Sequence, residues 1–436
     1  MIPAHLSPSW RMTNGEYDMK NDGLATKASL LLVSSLTVMA GTAVAPALPS
    51  IHVHFSEIEY SGLWVQLVLT MPALFIVLAA PLTGWFLDRS GRLRLLIPAM
   101  LLYGISGSSG LYLNNIGAIL AGRALLGVAV AGIMTSATTL IADYFEGRAR
   151  SQFMGWQAAF MNFGGVIFLT AGGSLAELGW RWPFAIYLFA IILVPLVIFS
   201  LNEPVSVNRK SSGKDSADNF RGPARLVFFI YVIAFSGMLI FYFIPLQIPF
   251  YLNEMVGAGP AASGMSIAVV TLFAMVSSFG YGRIKNHMGF LMIFGLTFGL
   301  MGAGYLLIGL GNGYTIVLTG LAVSGLGTGL MFPNLNVWLT LEVPAVIRGR
   351  AIGGLTTAIF MGQFVSPLAS QTLSGAFGTG FLFVSAGVFL LVTGLVFTFL
   401  RKAILASLKP VSAGIQPAPV KDDVSLAADT TEGFQK

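Results

Sequence analysis

The sequence predicts an all-α polytopic membrane protein, and three observations support this fold class. Of the 436 residues, 55% are hydrophobic and 10% are charged, which is too little charge to cover the surface of a water-soluble chain of this length. Apolar runs close to the ~20 residues that cross a bilayer recur along the whole chain. Nearly all the basic residues fall in alternate connections between those runs.

The apolar runs divide the chain into two sets of six spans. We place the twelve predicted spans at residues 27–49, 61–87, 94–113, 116–142, 151–177, 183–201, 224–251, 261–284, 289–310, 314–340, 350–375 and 377–400. The predicted organisation is a tail (1–26), a six-helix half (27–202), a central loop (203–222), a second six-helix half (223–402) and a tail (403–436). The first tail lacks the pattern of a removable signal, and we expect the last one to be disordered.

The distribution of arginine and lysine predicts the topology. An even number of spans puts both termini on one face of the membrane, and that face collects all the basic residues except Arg123 and Arg181. By the positive-inside rule this face is cytoplasmic, so we expect a multi-pass protein of the inner (plasma) membrane with both termini in the cytoplasm. The net charge of +6 and the pI near 9.5 then reflect topology, and we expect a lipid bilayer rather than nucleic acid around this chain.

The two halves share spaced motifs, which indicates an internal duplication. Arg148-Ala-Arg150 before the fifth span matches Arg348-Gly-Arg350 before the eleventh. The turn that starts at Gly84 and contains Asp88 and Gly91 matches a second-half turn with Gly282, Asn286 and Gly289. Basic, glycine-rich turns are common at cytoplasmic faces, but that composition does not explain the shared spacing.

The turn between the second and third spans is the strongest candidate for a functional element. It is bounded by Gly84 and Gly91 and carries Asp88, Arg89 and Arg92. A carboxylate at this position can accept hydrogen bonds from free amides at a neighbouring helix start, or pair with Arg89, Arg92 or Arg150. We expect such contacts to hold a cytoplasmic gate shut and to break when it opens. The alternative is a solvated loop acid that only sets topology.

Arg123 is the one basic residue well inside a span. An arginine at the bilayer centre costs about 2.5–3.5 kcal/mol on insertion scales, so it should face the protein interior or water. We expect it to lie by a cavity, where it biases a proton site or binds an anionic group; the alternative is an anchor among the outer headgroups. No acid lies clearly at mid-membrane, so proton coupling would have to use Asp88, Asp143 or Glu254, or the substrate itself would have to carry the proton.

At these residues the chain resembles the major facilitator superfamily. The turn from Gly84 to Arg92 is similar to that family's loop between helices two and three, and Arg123-Ala-Leu-Leu-Gly127 resembles the helix-four motif of proton-coupled members. Trp180-Arg181-Trp182-Pro183-Phe184 is similar to a segment of bacterial efflux branches. The resemblance implies two pseudo-symmetric six-helix bundles around a central cavity, lined by helices one, four, seven and ten, that rock against each other.

A set of uncharged polar and aromatic residues inside the spans forms the candidate substrate cavity. Amides beside aromatic and methionine side chains suit an amphipathic organic solute, although such residues also bond helix to helix. The set comprises Gln66, Asn162, Tyr242, Gln247, Asn334, Asn336, Trp338 and Gln363.

These features predict a secondary transporter of a small amphipathic drug or metabolite, and the resemblance to efflux branches implies export coupled to proton antiport. The alternatives are an importer of a small organic anion, with Arg123 as the counter-charge, and a non-transporting membrane sensor. We expect no enzyme activity, cofactor or metal, because no nucleotide-binding or metal-binding motif is present. The expected partners are the solute, protons or another ion, and lipid, and the expected state is a monomer.

Overall fold

The computed structural model describes residues 23–204, 224–344 and 347–408. Those residues fold into helices joined by short turns, and no strand occurs among them. The first half contains six helices, bounded as follows: α1 Leu24–His54, α2 Ser61–Ser90, α3 Arg92–Gly107, α4 Ile116–Tyr144, α5 Gly147–Glu177 and α6 Trp182–Ser200.

The second half repeats this order. Its helices are α7 Ala224–Val256, α8 Pro260–His287, α9 Phe290–Leu310, α10 Tyr314–Glu342, α11 Arg348–Phe377 and α12 Thr379–Phe399, and a short helix α13, Arg401–Leu408, follows. Eleven of the described helices are long and apolar enough to cross a membrane. The two exceptions are α13, which has 8 residues, and α3, which has 16 residues and is extended by the 3-10 turn Ser108–Leu111.

Local breaks follow from proline and glycine. Helix α1 is interrupted by the 3-10 turn Ala45–Ala47, where Pro46 cannot donate a backbone hydrogen bond. Gly91 is the one residue between α2 and α3. Its φ of +98° is a backbone conformation that favours glycine. This residue therefore allows two long helices to join through a single position.

The two halves pack in the same way. In each half the second and fourth helices are neighbours, as are the third and fourth, the third and sixth, and the first and fifth. Equivalent residues in α2–α4 and α8–α10 are 198 positions apart, as Gly282 is from Gly84. Gly127 of α4 lies against the Pro72 carbonyl, and its equivalent Gly325 lies against the Val270 carbonyl. The predicted internal duplication is therefore visible in individual contacts.

The halves meet along two seams related by the same pseudo-symmetry. Helix α5 packs against α8, and α11 packs against α2. The predicted all-α fold with two similar six-helix bundles is confirmed. Most predicted spans agree closely with these helices, whereas the predicted C-terminal tail begins inside α13 at residues 403–408. The predicted tail 1–26 and loop 203–222 lie largely outside the described residues.

Candidate functional site

The candidate site is the space between the two halves, and its ends differ. We call the end with Arg89, Arg92 and Arg94 the basic face and the other end the opposite face. At the opposite face the α5–α8 seam is closed by glycines. A Cβ at Gly264 would lie 2.5 Å from the Leu169 carbonyl oxygen, and one at Gly173 would lie 2.7 Å from that of Pro260. These backbones can approach so closely only because both positions lack a side chain.

The start of α8 is also bonded across this seam. One carboxylate oxygen of Glu177 accepts a hydrogen bond from the Ala261 amide at 3.0 Å. That amide is one of the free donors of the first helical turn, and a negative charge is favourable there. The contact fixes the end of α5 against the beginning of α8.

The α2–α11 seam is closed at the opposite face by side-chain amides. Gln66 donates from Nε2 to Oε1 of Gln371 at 2.8 Å, and the Ser370 hydroxyl donates to Oε1 of Gln66 at 3.1 Å. Gln66 is buried, so these bonds are shielded from water. Sequence reasoning assigned Gln66 to the cavity, but the structure places it in this closure.

The halves part at the basic face. In α8 only Tyr281 is buried between residues 271 and 287, and in α5 only Phe153 is buried between residues 147 and 163. No described atom lies within 4 Å of a Cβ built at Gly155 or Gly280, which belong to the same two helices. The described structure is thus closed at the opposite face and open at the basic face.

A small chamber lies between α1, α5, α7 and α8. It is situated where the contacts of the opposite face end and the two halves begin to part toward the basic face. Its volume is about 60 Å³, and Gly41, Leu169, Tyr242 and Thr271 are among the lining residues. The Tyr242 hydroxyl is 3.0 Å from a Cβ built at Gly41, and the Gln363 amide nitrogen is 3.8 Å from it. Neither Tyr242 nor Gln363 makes a side-chain hydrogen bond with another described residue, so both can bond to a solute.

Three other predicted cavity residues hold the second half together. Asn334 donates to the Phe290 carbonyl at 3.0 Å and accepts from the Tyr281 hydroxyl at 3.2 Å. Trp338 is buried and stacks on Phe290, with ring centroids 5.4 Å apart. Gln247 is the third, and it is also buried.

The Gln247 amide bonds to Ser374 of the same half at 3.2 Å. Two further amides donate within their own helices, Asn162 to the Ala158 carbonyl and Asn336 to that of Phe332. Asn162 is half-buried and Asn336 is exposed. The structure therefore brings Tyr242 and Gln363 together and leaves the other predicted residues in separate places.

At the basic face the ion pair that forms is not one of those expected for Asp88, because Arg92 pairs with a different acid. Nε of Arg92 lies 2.9 Å from a carboxylate oxygen of Asp143. The two oxygens of Glu203 accept from the backbone amides of Arg92 at 2.5 Å and Leu93 at 2.8 Å, so this carboxylate caps the start of α3. Sequence reasoning missed Glu203, which lies beyond α6 and carries no local signal of that role.

Asp88 is exposed and makes no hydrogen bond or ion pair with another described residue. Arg150 donates to the Ala142 carbonyl at 3.0 Å. Arg89 lies over the Trp85 ring, with the guanidinium carbon 4.0 Å from the ring centroid. Contacts of Asp88 that would shut this face are therefore absent in the open arrangement.

Arg123 is fully buried inside the first half. Its guanidinium carbon lies 4.6 Å from the ring centroids of both Phe184 and Tyr187, which come from the start of α6. None of its three side-chain nitrogens has a hydrogen-bond partner among the described residues. Aromatic faces stabilise a cation, but they leave its hydrogen-bonding capacity unused.

Comparison with known proteins gives a consistent result. The bacillibactin exporter of Bacillus subtilis (strain 168) is 23% identical over 359 residues, which cover 78% of this chain and 87% of the relative. The multidrug resistance protein MdtG of Escherichia coli (strain K12 / DH10B) is 26% identical over 386 residues, covering 84% of this chain and 92% of the relative.

Solved structures have the same fold. A bacterial homologue of the human lysosomal transporter Spinster, solved in an inward-facing and occupied conformation, superposes with a TM-score of 0.74 at 16% identity, and the match covers 89% of this chain and 98% of that one. The family profile described as Major Facilitator Superfamily matches residues 30–345 and 251–426. The chain therefore belongs to the Major Facilitator Superfamily of membrane transporters.

Proposed function

We propose that this protein is a secondary active exporter of a small amphipathic organic molecule, driven by proton antiport. The observation that carries the proposal is the one-sided interface, in which two similar bundles touch at one face and part at the other. Alternating access requires such an arrangement, since a solute site between the bundles must open to one side at a time. The similarity to a bacillibactin exporter and to a multidrug resistance protein supports the direction.

The proposed orientation puts the basic face in the cytoplasm of a cell bounded by an inner membrane. The positive-inside rule supports it, because nearly all the arginines and lysines lie on that side. The open cavity then faces the compartment from which an exporter takes its solute. We propose that the transporter acts as a monomer, since one chain supplies both bundles.

The proposed solute contacts are Tyr242 and Gln363. A phenol and an amide that bond to no other described residue offer a few hydrogen bonds next to the apolar walls formed by Leu169 and Ile267. An amphipathic molecule satisfies both kinds of surface. The chamber at about 60 Å³ is too small for such a molecule, so we expect loading to take place in the space between the bundles on the side of the basic face.

The proposed proton-linked groups are Asp88, Asp143 and Arg123. Asp143 already forms an ion pair with Arg92, and protonation of that carboxylate would remove the attraction. Asp88 is free to form contacts when the basic face closes. Arg123 is a fixed buried charge that favours deprotonation of any acid brought near it.

Transport by purified protein in liposomes under an imposed pH gradient tests this function. With ethidium as the probe, we expect dye and protons to cross the membrane in opposite directions. Dye transport should stop when the pH gradient is collapsed. The Tyr242→Phe and Gln363→Leu variants should weaken dye transport while leaving protein yield and melting temperature unchanged. Dye movement that is indifferent to the gradient would contradict proton antiport.

Import of a small organic anion is the second candidate, and the unpaired guanidinium of Arg123 favours it. A buried arginine without a carboxylate partner can serve as counter-charge to an anionic solute. The same liposome experiment with an anionic dye such as fluorescein separates the two functions. Accumulation together with protons, lost in Arg123→Leu, would support import.

A further inference from the structure

A second concave surface lies on the outside of the first half, away from the space between the bundles. It is an apolar groove of about 530 Å³ between α2 and α3, with α4 as its floor. Leu78, Leu82 and Phe86 form one wall and are exposed, and Pro98 and Leu102 belong to the other wall. Volumes of this size are typical of ligand sites.

At the equivalent surface of the second half, larger side chains stand at two of the positions that line the groove. Gly132 and Thr83 of the groove correspond to Leu330 and Tyr281, each 198 positions later. Leu330 and Tyr281 form a compact buried cluster with Ile293 between α8, α9 and α10. The open space at these two positions of the first half is therefore filled by side chains in the second half.

Each wall of the groove ends in an arginine at the basic face. Arg94 is four residues before Pro98 and therefore on the same side of α3, and Arg89 is three residues after Phe86 on α2. Both arginines are exposed, and neither pairs with a carboxylate among the described residues. Their second-half equivalents are His287 and Met292, so the open groove and this arginine pair occur together.

We infer that the groove binds an anionic phospholipid, with an acyl chain between α2 and α3 and the phosphate on Arg89 and Arg94. A groove on the membrane-facing surface of a spanning bundle meets lipid chains, which match its apolar walls. A phosphate group at the membrane surface matches two guanidinium groups that pair with no carboxylate among the described residues, one of which, that of Arg89, lies over the Trp85 ring. The bound lipid would connect α2 to α3 on either side of Gly91, next to the turn that carries Asp88.

Photolabelling of the full-length protein tests this site directly. The probe is phosphatidylglycerol with a diazirine in its acyl chain, reconstituted with the protein in phosphatidylcholine vesicles, and the labelled residues are mapped by mass spectrometry. We expect labelling to concentrate at Leu78, Leu82 and Phe86 in excess of the equivalent Val276, Gly280 and Ile284. The second half serves as an internal control that needs no substitution. Equal labelling of the two surfaces would overturn the proposal.

Two variants test the headgroup and the chain separately. Arg94→Gln should lower phosphatidylglycerol labelling of the groove about fivefold, the usual effect of one arginine at an anionic surface, and leave labelling by a phosphatidylcholine probe unchanged. Arg225→Gln is the matched control, since Arg225 is also exposed at the basic face but lies in the second half. Thr83→Tyr, which introduces the second-half residue, should reduce labelling by both probes. Equal losses in Arg94→Gln and Arg225→Gln would show only general attraction to the surface and would overturn the site.

Discussion

The interface between the halves is built differently at its two ends. At the opposite face it is closed by glycine-mediated backbone contact along α5–α8 and by the buried bonds of Gln66 along α2–α11. At the basic face the same four helices are exposed, and charged groups such as Asp88 lie apart from partners in the other half. The opposite face is therefore closed mainly by backbone packing and amide bonds, with the Glu177 carboxylate as a charged contact among them. At the basic face, Asp88 makes no hydrogen bond or ion pair with another described residue.

This difference suggests how the two ends can respond to protons to different degrees. At the opposite face, the bond from the Ala261 amide to Glu177 involves an acid. Amide hydrogen bonds and glycine packing carry no titratable group, so their strength changes little with pH. Ion pairs that involve carboxylates weaken when the acid is protonated. We expect the pH dependence of the conformational equilibrium to be set mainly by the basic face, with the opposite face as a less pH-sensitive contribution.

The largest expected effect comes from a side chain in the α5–α8 seam. Gly264→Val places a Cβ 2.5 Å from the Leu169 carbonyl, and overpacking of this kind costs about 1–3 kcal/mol. We expect transport to be abolished because the opposite face can no longer seal. The measurement is dye transport together with maleimide labelling of a single cysteine at Leu169, a buried position in a chain that has no native cysteine.

Gly375→Val is the control for that variant. Gly375 lies in α11 near the opposite face, and no described atom is within 4 Å of a Cβ built at this position. Transport and labelling should match those of the unmodified chain. If both valine variants lose transport equally, glycine packing at the seam is not what closes this face.

The next largest effect is expected at the basic face, where the two halves are apart. Asp88→Asn should change the free energy of unfolding by less than about 0.5 kcal/mol, because the side chain is exposed and unpaired in this conformation. Transport should fall about tenfold or more, because the variant loses a charge-assisted hydrogen bond that stabilises the form closed at the basic face. Glu146→Gln, at another exposed acid on the same face, should retain transport. Normal transport by Asp88→Asn at normal abundance would refute the gate role.

A smaller effect is expected at the α2–α11 seam. Gln66→Leu removes the bonds to Gln371 and Ser370, and a hydrogen bond between membrane helices averages about 0.6 kcal/mol. The ratio of the closed to the open form at the opposite face should therefore fall about sevenfold for the two bonds together. Labelling of the same cysteine at Leu169 reports that ratio, and an unchanged labelling rate would show that the amides only fill space.

The smallest effect is expected from Gly280→Ala. No described atom lies within 4 Å of the new methyl group, and alanine favours a helix by about 1 kcal/mol over glycine. We expect a small rise in melting temperature of the purified protein. A marked loss of stability would mean that the basic face is more tightly packed than in this structure.

The sequence predicted the architecture well because hydropathy and loop charge act over whole helices. The ends of α2, α4 and α10 agree with the predicted spans to within about three residues, the usual uncertainty of such boundaries. The short α3 was the main departure, since a 3-10 turn completes its span. The internal duplication was also visible, because its motifs keep their spacing.

The site was harder to predict, because its residues depend on helix rotation and on distant partners. Asn334 and Gln363 look alike in sequence, yet one bonds to the Phe290 carbonyl while the other is free beside Tyr242. Hydrophobic patterning specifies rotation poorly when every face of a helix is apolar. Glu203 reaches the start of α3 from 111 residues away, and no local pattern indicates such a contact.

We expect the two ends of the interface to alternate, so that one face is open when the other is closed. Pairs of spin labels measure this directly, because a chain without cysteine accepts single cysteines at chosen positions. One pair, at Ser151 and Asn286, reports the basic face, and a second pair, at Leu178 and Val256, reports the opposite face; all four positions are exposed. In liposomes, we expect the first distance to shorten as the second lengthens when pH or the transported dye shifts the equilibrium. Distances that stay fixed under every condition, or that change together, would contradict alternating access.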